Sequence, residues 1–217
     1  AELATYSYDS SSWEPLLTHD AKRVAVVDYQ TGVRVAKLDR ASDVQLGKAT
    51  SRALRSAFSG DGTTLYVGGS DGGLSAYAVA TGELTMHWQA HDRAPVTTMD
   101  FDAKGRLLTG SSDQHVKIFD AVGKQHLDIA AGAKIRSARF SPDGARIVTG
   151  DWNGVVRRWN AMTGAPVGPE LKLTSKILKA AWSPDGARIA AIDQDGYVAV
   201  WNDATGTEER RLEGGEF

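Results

Sequence analysis

The sequence predicts an all-β chain built from repeated four-stranded antiparallel units, and three observations predict it. Aromatic-led turns recur at residues 58–62 (Phe-Ser-Gly-Asp-Gly), 101–105 (Phe-Asp-Ala-Lys-Gly), 140–144 (Phe-Ser-Pro-Asp-Gly) and 182–186 (Trp-Ser-Pro-Asp-Gly), with the aromatics 43, 39 and 42 residues apart. A second marker, Gly82, Gly123, Gly164 and Gly206, follows each turn and keeps the same period. Twenty-three glycines in 217 residues stand mostly at turn positions between runs rich in Val, Ile, Thr and aromatics, which suits strands and hairpins rather than helices. A period of about 40–45 residues with four strands per unit is the signature of a propeller blade.

The elements follow in order within each unit. The first strand ends at the aromatic, and the Ser141 to Gly144 turn has Pro second and Gly fourth, as a type I turn prefers. The second strand, Ala145 to Gly150, is almost continuously apolar, as a sheet covered on both faces requires. Asp71-Gly72, Asn153-Gly154 and Asp195-Gly196 then supply the positive φ of a tight hairpin. The fourth strand of the fourth unit carries Pro166 and Pro169, which lack an amide donor and belong on an outer edge. Repeats are expected at roughly 51–91, 92–132, 133–174 and 175–217. A degenerate first repeat is expected at 1–40, where Tyr8 falls on Trp182 and Gly32 on Gly206, with a longer connection at 41–50. The whole of 1–217 reads as a single domain. Five units suit either a small closed ring or part of a larger one, and the start at Ala1 rather than Met suits a processed, trimmed or excerpted chain.

Composition narrows the function classes. A net charge of −2 gives no argument for a nucleic acid or membrane. The absence of cysteine removes disulfides, thiolate metal sites and cysteine nucleophiles, and fits an intracellular (cytoplasmic or nuclear) setting. No apolar run approaches the ~18 residues of a membrane span. The five histidines (His19, His87, His91, His115, His126) form no paired-ligand motif. Asp193, Asp195 and Asp203 sit where turn geometry asks for Asp. No nucleophile elbow, phosphate loop or dinucleotide fingerprint occurs. The expectation is a chain without enzyme activity, cofactor or metal.

The aromatic-led turn, the Asp-Gly hairpin and the aromatic-Asp/Asn pairs at Phe119-Asp120, Trp159-Asn160 and Trp201-Asn202 resemble WD40 repeats over essentially the whole chain. The resemblance implies a propeller and a structural tetrad of His, Ser/Thr, Asp and Trp. The third repeat approaches that set with His91, Thr109, Asp113 and Phe119. The fourth offers Thr149, Asn153 and Trp159, and the fifth Asp195 and Trp201. Phe119 has no indole donor, so the tetrad is eroded. The resemblance also implies non-covalent work: a scaffold that holds a partner protein against the face formed by the loops between second and third strands. The positions there are Asp20, Ser70, Ser112, Trp152 and Gln194, and Trp152 alone is aromatic. Tryptophans in exposed turns are covered or become interface anchors. Arg52 and Arg55, Lys134 and Arg136, and Lys176 and Lys179 stand at the starts of three innermost strands, a set suited to an acidic peptide or phosphate groups. Two other roles are weighed. The stretch from Trp88 to Asp113 is similar to WD-repeat proteins of the small-subunit processome, which implies a ribonucleoprotein subunit that meets RNA there. An excised or engineered propeller would self-associate instead.

Overall fold

A computed structural model describes residues 51–213 throughout and, before them, the backbone of four strands. These are β1 (Leu16–Leu17), β2 (Arg23–Asp28), β3 (Gly32–Lys37) and β4 (Val44–Gln45), one antiparallel sheet in that order. The first sheet therefore runs from Leu16 to Gln45, and its last strand lies in the stretch expected to be a connection. The expected strand end at Tyr8, and Asp20 and His19, lie outside the described residues.

Four more four-stranded sheets follow. They are β5 (Ala53–Phe58), β6 (Thr64–Gly69), β7 (Gly73–Ala78) and β8 (Leu84–Gln89); β9 (Val96–Phe101), β10 (Leu107–Ser111), β11 (His115–Phe119) and β12 (Gln125–Ala130); β13 (Ile135–Phe140), β14 (Arg146–Asp151), β15 (Val155–Asn160) and β16 (Leu171–Lys172); and β17 (Ile177–Trp182), β18 (Arg188–Asp193), β19 (Val198–Asn202) and β20 (Glu208–Leu212). No helix occurs among the described residues, so none is long and apolar enough to cross a membrane.

The turns form as their residues dictate. In the fourth sheet Ser141 Oγ donates to Asp143 Oδ1 at 2.5 Å and the Gly144 amide donates to the Ser141 carbonyl at 2.8 Å. Ser183 and Asp185 repeat the motif in the fifth sheet. The prolines act as expected but more strongly. Only Leu171–Lys172 pairs fully with β15, while Pro166 makes an isolated bridge to Trp159. A residue without an amide cannot continue a ladder, so the outer strand is cut short.

The chain divides into two compact units, residues 1–96 and 97–217. In the second unit the fourth sheet is buried on both faces. Ile147 and Trp159 pack with Leu108, Val116 and Ile118 of the third sheet, whereas Val148 and Val156 pack with Ile177, Ile189 and Trp201 of the fifth. Fully buried side chains such as Ile135 and Ile177 are worth about 1.5–3 kcal/mol each. Polar ties fix the stacking register. Thr98 Oγ1 accepts the Ala138 amide at 3.3 Å, and Ser137 Oγ accepts the Ala180 amide at 3.0 Å. Arg106 lies over the Phe140 ring and Arg146 over the Trp182 ring, at 5.1 and 4.7 Å from the centroids.

Candidate functional site

The turn between β14 and β15 begins with a buried carboxylate. Asp151 Oδ1 accepts the amides of Asn153 at 2.8 Å and Val155 at 3.0 Å, while its Oδ2 takes the Arg157 guanidinium at 2.5 Å. Gly154 closes the turn at φ +80°, with the Leu173 and Ser175 carbonyls 2.8 Å from where a Cβ would stand. No L side chain fits there, so the turn tip is held tightly. The Trp152 amide donates to the Lys134 carbonyl at 3.0 Å. Its side chain remains 41 % exposed. The ring is met by two ammonium groups, Lys134 Nζ at 5.1 Å and Lys176 Nζ at 4.6 Å from its centroid. Such contacts contribute about 0.5–1 kcal/mol each at an exposed site. Neither ammonium is ion-paired among the described residues; the lysines that are, Lys117 and Lys172, hold Asp128 and Glu170.

The other cations sort by register. The Ser70 amide donates to the Arg52 carbonyl and the Gln194 amide to the Lys176 carbonyl, at 2.9 and 2.8 Å, so Arg52, Lys134 and Lys176 are true equivalents. The second members are not. A bulge in each first strand leaves Leu54, Arg136 and Leu178 unpaired, and opposes Arg55 to Gly68, Ser137 to Gly150 and Lys179 to Ile192. Arg136 thus matches Leu178, which is 42 % exposed, rather than Lys179. The extra residue of a bulge shifts every later side chain by one place. Arg52 and Arg55 belong to the first compact unit, where Arg55 Nη1 donates to the Leu54 carbonyl at 2.6 Å. The site brought together in the second unit is Trp152, Lys134 and Lys176, with Arg136 and Leu178 on the adjoining bulges. Sequence reading missed Leu178, because only the bulge places it beside the cationic column.

The tetrad residues divide similarly. Trp159 Nε1 donates to Thr149 Oγ1 at 2.9 Å, both buried, so the fourth unit keeps this bond. Its turn carboxylate, however, is Asp151 rather than Asn153. In the fifth unit Asp193, not Asp195, does the work. Its Oδ1 accepts the Asp195 and Tyr197 amides, and its Oδ2 accepts Thr174 Oγ1 at 3.0 Å and the Ser175 amide at 3.2 Å. Burial pushes the Asp193 carboxyl up, but these donors outweigh it and hold the group below its ordinary range. Trp201 is buried too, but Ala191 stands where Thr149 does. The signal was present as an Asp two residues before Asn153-Gly154 and Asp195-Gly196, a place that Gly69 takes before Asp71-Gly72. In the third unit Asp113 accepts the His115 amide at 2.9 Å, and Thr109 and Phe119 are buried. His91 is buried in the first compact unit, where the Gln89 side-chain amide donates to its carbonyl.

Asp203 and three of the described histidines have partners within the fold. Asp203 pairs with Arg146 and Arg158. His115 meets Asp128 at 2.6 Å, His126 meets Asp120 at 2.9 Å, and His87 meets Ser75 Oγ at 3.0 Å. Among the described residues no group of three or more His, Asp or Glu is placed to hold a metal.

Comparison with known proteins agrees with the sheet architecture. The family described as WD domain, G-beta repeat matches residues 82–120, 124–160 and 170–202, together just over half of the chain. Transducin beta-like protein 3 of Bos taurus is 37% identical over 79 residues, covering 35% of this chain and 10% of that protein. A guanine nucleotide-binding protein subunit beta of Arabidopsis thaliana is 28% identical over 134 residues, covering 52% of this chain and 36% of that protein. The chain therefore spans a minor part of the length of these relatives. A chain in the crystal structure of the Mitotic Checkpoint Complex superposes with a TM-score of 0.79 at 21% identity, over 89% of this chain and 61% of that one, which is a likeness of fold. With three matched repeats and stacked four-stranded antiparallel sheets, the chain belongs to the WD-domain, G-beta repeat family.

Proposed function

We propose that the chain is a non-catalytic interaction scaffold that holds a partner protein at the surface around Trp152. The observation that carries this reading is a tryptophan left 41 % exposed at a rigid turn tip, with two ammonium groups at its ring that have no carboxylate partner among the described residues. A large amphipathic side chain on a fixed backbone is the usual anchor of an interface, since little entropy is lost when it is covered. The family supports it: WD-repeat propellers typically act as scaffolds. Two of the similar proteins are named as parts of assemblies, one as a subunit beta and one within a checkpoint complex.

The test compares three baits in one extract, namely the wild-type chain, Trp152→Ala, and the Lys134→Glu/Lys176→Glu double variant, each checked for an unchanged unfolding temperature. Proteins captured by the wild type should be depleted on both variants. Equal capture by all three baits would remove this surface from consideration.

A further inference from the structure

Lys134, Trp152 and Lys176 come from three separate places in the second unit: the residue before β13, the β14–β15 turn, and the residue before β17. Both lysine side chains fold onto one indole, so their charges are held in place before any ligand arrives. An immobilised cation that lacks a counter-ion is a preorganised receptor for an anion. The turn itself is depleted of negative charge. Its tip is Asn153, where the corresponding positions of the other described hairpins hold Asp71, Asp113 and Asp195. The buried carboxylate behind it, Asp151, is spent on Arg157 and two amides.

We infer that this site takes an extended acidic peptide with two carboxylates two residues apart, an acid-x-acid segment, whose backbone passes the open edge of Trp152. The inference rests on the docking reading above and names its partner class. Spacing supports it. Two ammonium groups that share one ring lie within about 10 Å of each other, and alternate side chains of an extended strand project on one side about 7 Å apart. The ring also argues against a single-stranded nucleic acid. A base would need the indole face for stacking, and the two ammonium groups lie over the ring. What remains open suits the backbone and short side chains of a peptide, with Leu178 exposed on the neighbouring bulge for apolar contact.

The experiment titrates the full chain into a fluorescein-labelled Gly/Ser decapeptide with a central Glu-Ala-Glu, its Gln-Ala-Gln counterpart, and labelled oligo-uridine, and follows anisotropy at two salt concentrations. The Glu peptide should bind, more weakly at the higher salt, and the Gln peptide should not. Lys134→Met and Lys176→Met, which keep the apolar stems, should each weaken binding about two- to fivefold, the scale of an exposed ion pair. Excess inorganic phosphate should compete poorly, since one compact anion cannot satisfy two separated cations.

Equal binding of the Glu and Gln peptides, tighter binding of oligo-uridine, or indifference to both lysine variants would overturn the acidic class. If no peptide binds but Trp152→Ala still loses the captured proteins, the docking surface stands and the acid-x-acid partner is wrong. If Trp152→Ala loses nothing, the docking reading itself has failed.

Discussion

Trp152 and Trp159 lie seven residues apart, and their surroundings give them opposite roles. Trp159 finds a hydroxyl inside the sheet stack, whereas Trp152 stands 41 % exposed on a turn whose amide is tied to the Lys134 carbonyl. The same dependence on surroundings separates two carboxyls of the second unit. Asp193 is held below its ordinary range by donors that overcome burial, so its charged form stabilises the fold. That contribution is present above the unfolded carboxylate range and is lost as pH falls through the folded value. Asp100 is opposite: burial pushes its carboxyl up, and the nearby Arg139 and the Phe140 amide offset this only in part. Its charged form costs stability, so its favourable contribution exists in acid and is lost as pH rises through the folded value. Urea unfolding at pH 7 and pH 3 should therefore separate them. Asp100→Asn is expected to be more stable than wild type at pH 7 and Asp193→Asn less stable, with both differences shrinking at pH 3. Shifts of the same sign at pH 7 would contradict this assignment.

At the scale of the element, stacking of the sheets depends on a missing side chain. A Cβ on Gly150 would stand 2.3 Å from Ile177 Cγ2, and one on Gly110 would stand 2.7 Å from Ile135 Cγ2. The fourth and fifth sheets thus each begin with an isoleucine set into a glycine of the sheet before it. Gly150→Ala should cost about 1–3 kcal/mol in chemical denaturation, the usual range for overpacking. Removing the opposing Cγ2 in a Gly150→Ala/Ile177→Ala double variant should cost less than the two single losses added together. If the double variant is simply the sum of the two single losses, the contact is not what the glycine serves. Much of this architecture was legible in the sequence, because turns such as Ser141 to Gly144 and Asn153-Gly154 are dictated by local residues. The bulge that moves Arg136 out of line with Lys179 was not, since it depends on pairing with β14 and β18 across the sheet. The preference for Asp151 over Asn153 had a signal in the sequence, but only burial beneath the turn amides shows that the Asp151 carboxylate takes the role. The cationic contacts of Trp152 join its turn to the residue before β13 of its own sheet and the residue before β17 of the next, so spacing along the chain could suggest them but not establish them.

At the scale of the whole molecule, the second compact unit ends in a sheet unlike the two before it. On the side of the third and fourth sheets that receives the next sheet, Leu108, Val116, Val148 and Val156 are fully buried. The corresponding side of the fifth sheet carries Ala181, Ala190, Ile192, Val198 and Val200; both alanines are exposed and the other three are half-buried. Two docking features have changed there. Ile192 fills the place of Gly110 and Gly150, and Lys179 replaces the hydroxyls of Thr98 and Ser137. An ammonium can donate to a backbone carbonyl but cannot accept an amide, so this side does not repeat the register tie of the earlier sheets. It still leaves an apolar strip in water, and contiguous apolar surface drives association. Purified chain is expected to show concentration-dependent self-association by sedimentation velocity, and Ala190→Glu, which puts a charge in the strip, should shift it toward monomer. Because Ala190 faces away from the fourth sheet, that substitution should leave the unfolding temperature nearly unchanged. A wild-type chain that stays monomeric at all concentrations would mean that Lys179 and Ile192 already suffice to keep the strip from pairing.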